Sequence, residues 1–173
     1  KLYSGISWNH DISVIDKRFI SERVNQIRNW NMKFIQGDIL DKDFVQKYFK
    51  NADVVHHLAG ITNVPRTKTE SIKSQDDEIR LVGEKGTQNI LDFISDKCKI
   101  IFPSTHVVYE GINEVKINIK ENETTRPVLS YSQSKSINEN QLKKSGKNYV
   151  ILRLGSVYGY SADSMRIDIM PNL

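Results

Sequence analysis

Short runs rich in Ile and Val recur along this chain, each separated from the next by a longer amphipathic stretch, and that alternation restricts it to a small set of folds. Ile12-Ser-Val-Ile-Asp16, Lys33-Phe-Ile-Gln36, Asp53-Val-Val-His-His57, Lys99-Ile-Ile-Phe102 and Tyr149-Val-Ile-Leu-Arg153 each read as a buried strand. Pro103 is expected to stop the fourth of them. Asp41 to Lys50 opens on an acid and carries Phe44, Val45 and Phe49, which predicts a short helix. From Ser71 to Asp96, Ile79, Val82, Ile90, Leu91 and Ile94 fall near helical spacing. Leu129 to Lys144 is helical, with two lysines in its last turn and Gly146 as its stop. Strands alternating with helices predict an α/β fold, a doubly wound parallel sheet with helices on both faces.

A length of 173 residues suits one domain, or one domain and the start of another. Near Ser156 the regular alternation gives way, so residues 1–155 are read as one domain and 156–173 as the start of a second. The chain carries 25 Lys and Arg against 21 Asp and Glu, but the basic residues are scattered and not interleaved with aromatics. That pattern argues against a nucleic-acid partner. A single cysteine, Cys98, excludes a disulfide framework and a Cys-built zinc site, and fits a reducing, cytoplasmic setting. The apolar runs are too short to cross a bilayer, so no membrane partner is expected. His56 and His57 are adjacent on a strand and face opposite ways, so they cannot share an ion, and no metal is expected. The chain begins at Lys1, not Met, and its natural start is expected further upstream.

Some residues could carry chemistry. Asp16 ends a strand, where an acid bonds the ribose hydroxyls of a dinucleotide and repels a 2′-phosphate; turn formation is the plainer alternative. Lys17 and Arg18 beside it leave room for the phosphorylated cofactor. Tyr131 and Lys135 are four apart on a predicted helix and project from one face. A lysine ammonium near a phenol is expected to lower its pKa and make it usable as a base. Ser104 and Thr105 directly follow a strand, at the carboxyl edge of the sheet where ligands bind in this architecture; alone, they would be read as helix caps.

Taken together, these stretches resemble the extended short-chain dehydrogenase/reductase family of NAD-dependent sugar epimerases and dehydratases, from about Ile12 to Leu173. Gly37-Asp38-Ile39 resembles the family's Gly-Asp-Ile/Leu element, whose Asp meets the adenine. His57-Leu58-Ala59-Gly60 resembles the element lining the pyrophosphate and ribose. Gly86-Thr-Gln-Asn89 resembles Gly-Thr-x-Asn. Ser104-Thr-His-Val-Val-Tyr109 resembles the Ser-Ser/Thr-x-x-Val-Tyr loop. Pro127-Val-Leu-Ser-Tyr131-Ser-Gln-Ser-Lys135, with Glu139, resembles Pro-x-x-x-Tyr-x-x-Ser-Lys-x-x-x-Glu. Arg153-Leu-Gly-Ser-Val-Tyr-Gly159 resembles Arg-x-x-Asn-Val-Tyr-Gly.

The resemblance implies a Rossmann-like NAD-binding domain and a catalytic set of Thr105, Tyr131 and Lys135. It implies cofactor contacts from Asp16, Asp38, Ile39, Leu58, Ala59, Gly60, Ser104, Tyr131, Lys135 and Gly155, and substrate contacts from Thr105, His106 and Ser156. It further implies a nucleotide-sugar substrate and a homodimer built through a four-helix bundle of the 71–96 and Tyr131 helices. The sequence departs from the family in several places. The Gly-rich phosphate loop and the strand before it have no counterpart, nor does most of the substrate domain. Gly83 stands for an Asn, Glu110 for a Gly, and Ser156 for an Asn. His106-Val107 occupies the place of the acid that dehydratases use to eliminate water, which moves an epimerase, expected to be a 4-epimerase, or a simple dehydrogenase/reductase ahead of a dehydratase. An NADP-dependent keto-sugar reductase and a non-catalytic cofactor-binding scaffold are the alternatives. In the strand order 3-2-1-4-5-6 the missing first strand is central, so the strands ending at Asp16 and His57 are expected not to bond to each other.

Overall fold

The computed structural model describes residues 9–62 and 72–156. In chain order these form β1 (Ser13–Asp16), α1 (Ser21–Asn29), β2 (Lys33–Gln36), α2 (Lys42–Phe49), β3 (Val54–His56) and α3 (Lys73–Arg80). A π-helical turn (Leu81–Lys85), α4 (Gly86–Phe93), β4 (Lys99–Thr105), a 3-10 turn (His106–Tyr109), α5 (Ser130–Lys144) and β5 (Asn148–Leu154) follow. Every strand pair is parallel: β1 with β2, β3 with β4, and β4 with β5. The α/β Rossmann-like reading is therefore the observed architecture.

Among the described residues β1 does not pair with β3, and the strands fall into β1–β2 and β3–β4–β5. This division lies where the order 3-2-1-4-5-6 puts its first strand, as expected. One core nevertheless serves both pieces. Ile15 of β1 packs against the cluster that holds Val55, Ile90, Ile100, Phe102 and Leu142. Ile100 and Phe102 are fully buried, each contributing about 1.5–3 kcal/mol.

Local chemistry explains two of the element ends. Asp41 accepts the Phe44 N–H at 3.1 Å and caps α2. Gly146, at φ +70°, follows α5 in the left-handed conformation that glycine tolerates. Other features differ from the sequence reading. Helix α1 was not anticipated, because Val24 is its one buried residue and its remaining side chains are mostly polar. The 71–96 stretch is not one regular helix; within 72–96 a π turn separates α3 from α4.

Nor does Pro103 end β4, which continues to Thr105 in register with Leu154. The reason is the neighbouring strand. β3 ends opposite Ile101, whose carbonyl accepts the His57 N–H at 2.9 Å. Backbone groups two residues later point the same way, past the end of β3, so the N–H that proline lacks has no partner to lose. Val157 to Leu173, which include the last residues of the Arg153 motif and nearly all of the expected second domain, lie outside the described residues.

Candidate active site

The end of β3 leaves the Pro103 carbonyl without a strand partner, and Lys135 Nζ fills the place at 2.9 Å. The ammonium also lies 4.5 Å from the Phe102 ring centroid and 5.8 Å from that of Tyr131. The i, i+4 spacing on α5 thus brings Tyr131 and Lys135 together at the carboxyl end of β4. Thr105 ends that strand, and its Oγ1 accepts the Val107 N–H at 3.3 Å, capping the 3-10 turn while its own proton remains to donate. His106 is exposed and its Nδ1 lies 3.1 Å from the Leu154 carbonyl, tying β4 to β5. Gly155 and Ser156 follow, both exposed.

The expected effect of Lys135 on Tyr131 is not what the structure gives. Burial raises the Tyr131 phenol above its ordinary value, and the same burial lowers the Lys135 amine to about 8. With its ammonium committed to Pro103, Lys135 does not offset the desolvation of the phenolate.

Ser104 is buried and its hydroxyl donates to Glu139 at 2.7 Å. Glu139, 1% exposed, also takes a two-pronged bond from Arg153, Nε to Oε1 at 2.9 Å and Nη2 to Oε2 at 2.6 Å. Burial would raise this carboxyl, but the bonds from Arg153 and Ser104 outweigh it and hold it below the ordinary value. Arg153 further bonds the Tyr109 hydroxyl and the Glu121 carbonyl, so α5, β5 and the 3-10 turn share one buried charge pair. Sequence reasoning found Glu139 and Arg153 only as motif letters; that they pair across two elements is a tertiary fact.

Helix α4 joins the two parts of the divided sheet. Thr87 Oγ1 lies 2.8 Å from His57 Nε2 at the end of β3. Asn89 Nδ2 donates to the Ile39 and Leu40 carbonyls after β2, at 2.9 and 3.3 Å. A Cβ at Gly86 would come within 2.3 Å of Ile39 Cδ1, so glycine permits this close approach. The Gly86-Thr-Gln-Asn89 segment therefore clamps the loop after β2 and the end of β3. Burial, reinforced by the Lys135 charge, holds His57 at about 3, so its ring is neutral at pH 7. A Cβ at Gly83 would come within 2.3 Å of Ser134 Oγ, so the π turn packs closely on α5 at that glycine.

At the ends of β1 and β2, Asp16 Oδ1 accepts the Arg18 N–H at 2.8 Å. Asp38 accepts from Leu40 N–H at 2.9 Å and pairs with Lys17 at 3.0 Å. The Arg18 guanidinium lies 3.8 Å from Asp16 Oδ1, so Lys17 and Arg18 each face an acid while both remain largely exposed. Among the described residues no helix is long and apolar enough to cross a membrane.

Residues 5–171 match the model of the NAD dependent epimerase/dehydratase family. This chain belongs to that family. It is 30% identical over 172 residues to a dTDP-D-glucose 4,6-dehydratase of Dictyostelium discoideum, covering 87% of this chain and 38% of that protein. A UDP-glucose 4-epimerase of Streptococcus mutans is 31% identical, over 76% of this chain and 40% of its own length. The crystal structure of UDP-glucose 4-epimerase from Brucella ovis in complex with NAD superposes with a TM-score of 0.68 at 25% identity, covering 88% of this chain and 46% of that one. The chain thus spans less than half the length of these relatives.

The residues present fit parts of such a dinucleotide. Asp16 keeps Oδ2 for a ribose diol, and Lys135 keeps donors beyond the one given to Pro103. Leu58, Ala59 and Gly60 are exposed at the end of β3, and a Cβ on Gly60 would meet nothing within 4 Å.

Proposed function

We propose that this chain carries the catalytic set of an NAD-dependent nucleotide-sugar 4-epimerase. The observation that supports it best is the convergence of Tyr131 and Lys135 at the Thr105 end of β4, with His106 and Val107, neither of them a carboxylate, directly after Thr105. NAD, when bound, supplies the hydride acceptor. Tyr131 takes the proton of the C4 hydroxyl. Thr105 donates its hydroxyl proton to the same substrate oxygen and fixes its place. Because burial raises the phenol, a cation must approach it before it can act near neutrality, and the Lys135 ammonium, 5.8 Å from the Tyr131 ring centroid, is the one we assign to that task. Asp16 holds the adenosine ribose, Asp38 and Ile39 border the adenine, and Leu58 to Gly60 line the diphosphate side. Ser104 and Gly155 border the nicotinamide side, and His106 and Ser156 border the sugar.

The acid partners of Lys17 and Arg18 weaken the NADP reading. Ile72 just before α3, Leu81 in the π turn and Ile137 on α5 are exposed apolar side chains on the two helical stretches that a second copy of the chain would meet in a four-helix bundle. The same reading keeps the protein in the cytoplasm. The test is conversion of UDP- and dTDP-sugars to their C4 epimers by the intact polypeptide with NAD. Tyr131→Phe should cut turnover about 10²–10⁴-fold and leave NAD affinity nearly unchanged; activity within tenfold of the unaltered protein defeats the reading.

A further inference from the structure

Helix α5 carries Tyr131 in its first turn, yet its N-cap residue, Leu129, has no polar side chain to cap it. The acceptor comes from elsewhere. Glu110, directly after the 3-10 turn, accepts the Val128 N–H at 2.8 Å and the Leu129 N–H at 2.7 Å through Oε1. The Ser132 hydroxyl bonds the same oxygen. A carboxylate here satisfies donors at the helix start and meets the positive end of the helix dipole. Glu110 is itself pinned on both sides: Arg126 N–H bonds Val108 O at 2.8 Å, and Gly111 N–H bonds Arg126 O at 2.9 Å. A Cβ on Gly111 would stand 2.5 Å from that Arg126 oxygen, so the pinning requires glycine there.

We propose that Glu110 is a positioning residue. It locks the first turn of α5 to the 3-10 turn that Thr105 caps, and so sets where the Tyr131 hydroxyl stands relative to that of Thr105. The effect on turnover rests on the epimerase reading; the lock on the helix start does not.

The test compares Glu110→Ala and Glu110→Gln in the intact, NAD-loaded polypeptide by amide hydrogen exchange and steady-state kinetics. Glu110→Ala should speed exchange in residues 127–135 about tenfold while residues 148–154 stay unchanged. It should lower kcat about tenfold, with sugar KM and NAD affinity within about twofold. Glu110→Gln, which retains an acceptor oxygen, should recover most of both. Unchanged exchange in 127–135, faster exchange with full kcat, or a Gln variant as impaired as Ala each overturns the proposal. If the unaltered protein turns over no sugar, the epimerase reading fails, and the exchange contrast between Ala and Gln alone upholds or overturns the lock.

Discussion

His57 should make the stability of this fold depend on pH in a measurable way. Its ring is 3% exposed, bonded through Nε2 to Thr87, with Nδ1 buried and unpartnered among the described residues. Protonation would place a charge in that setting, so the pKa falls from 6.5 in the open chain to about 3 in the fold. The folded state therefore binds fewer protons than the unfolded state between those values. Stability contributed by neutral His57 is present above pH 6.5 and is lost as pH falls toward 3. Between pH 7 and pH 5 a single group with these two values removes about 2 kcal/mol of stability. Urea unfolding of the intact polypeptide at the two pH values, for the unaltered protein and His57→Gln, isolates that amount as a double difference. The variant loses the ring contact with Phe102, whose centroid is 5.5 Å away, and should be less stable at pH 7. Its pH 7-to-5 difference should nevertheless be smaller by about 2 kcal/mol. Equal pH dependence in the two proteins, within about 0.5 kcal/mol, would refute the assignment of a buried neutral imidazole.

Other sites make their own predictions. Breaking the Glu139–Arg153 pair by Glu139→Gln or Arg153→Met should cost about 3–5 kcal/mol each in denaturant unfolding, and the double variant clearly less than their sum. Additive losses would mean the two side chains are not coupled. For Lys135, the fall from 10.5 to about 8 means the ammonium is disfavoured in the fold below pH 8 and the cost disappears as pH rises toward 10.5. Lys135→Met should therefore gain about 1–2 kcal/mol at pH 7, after the lost Pro103 bond is counted, while turnover disappears; a less stable variant contradicts the desolvation argument. Gly86→Ala should lower stability by about 1–3 kcal/mol and weaken NAD binding, because Ile39 beside Asp38 must move; unchanged calorimetric Tm and affinity would show that Ile39 yields freely.

The strands were legible because Ile and Val stand in short continuous apolar runs, as in Val54-Val55 and Val150-Ile151-Leu152, although the expected burial is incomplete: Val54 and Leu152 are exposed. Helix α1 was not, since it offers the core little beyond Val24. Pro103 misled because the cost of a missing N–H depends on where a neighbouring strand ends, which no local reading contains. In the site, the Tyr131–Lys135 face followed from helical spacing, but the direction of the phenol's shift did not. That sign depends on burial and on the Pro103 carbonyl that occupies the ammonium, both tertiary facts. The Gly86 motif was recognisable as letters, yet its work on His57 and Ile39 shows only when residues thirty to fifty positions apart meet. Glu110 stood out in the sequence solely as a departure from the family; the bonds at the start of α5 give it a purpose.

The claim that Tyr131, Lys135 and Thr105 serve a reversible hydride transfer at one carbon is tested most directly with a nucleotide sugar deuterated at C4. The intact polypeptide, loaded with NAD and supplied with that sugar in ordinary water, should return the C4 epimer with its deuterium still at C4. Loss of the label to solvent, or a dehydrated product in place of the epimer, would contradict it.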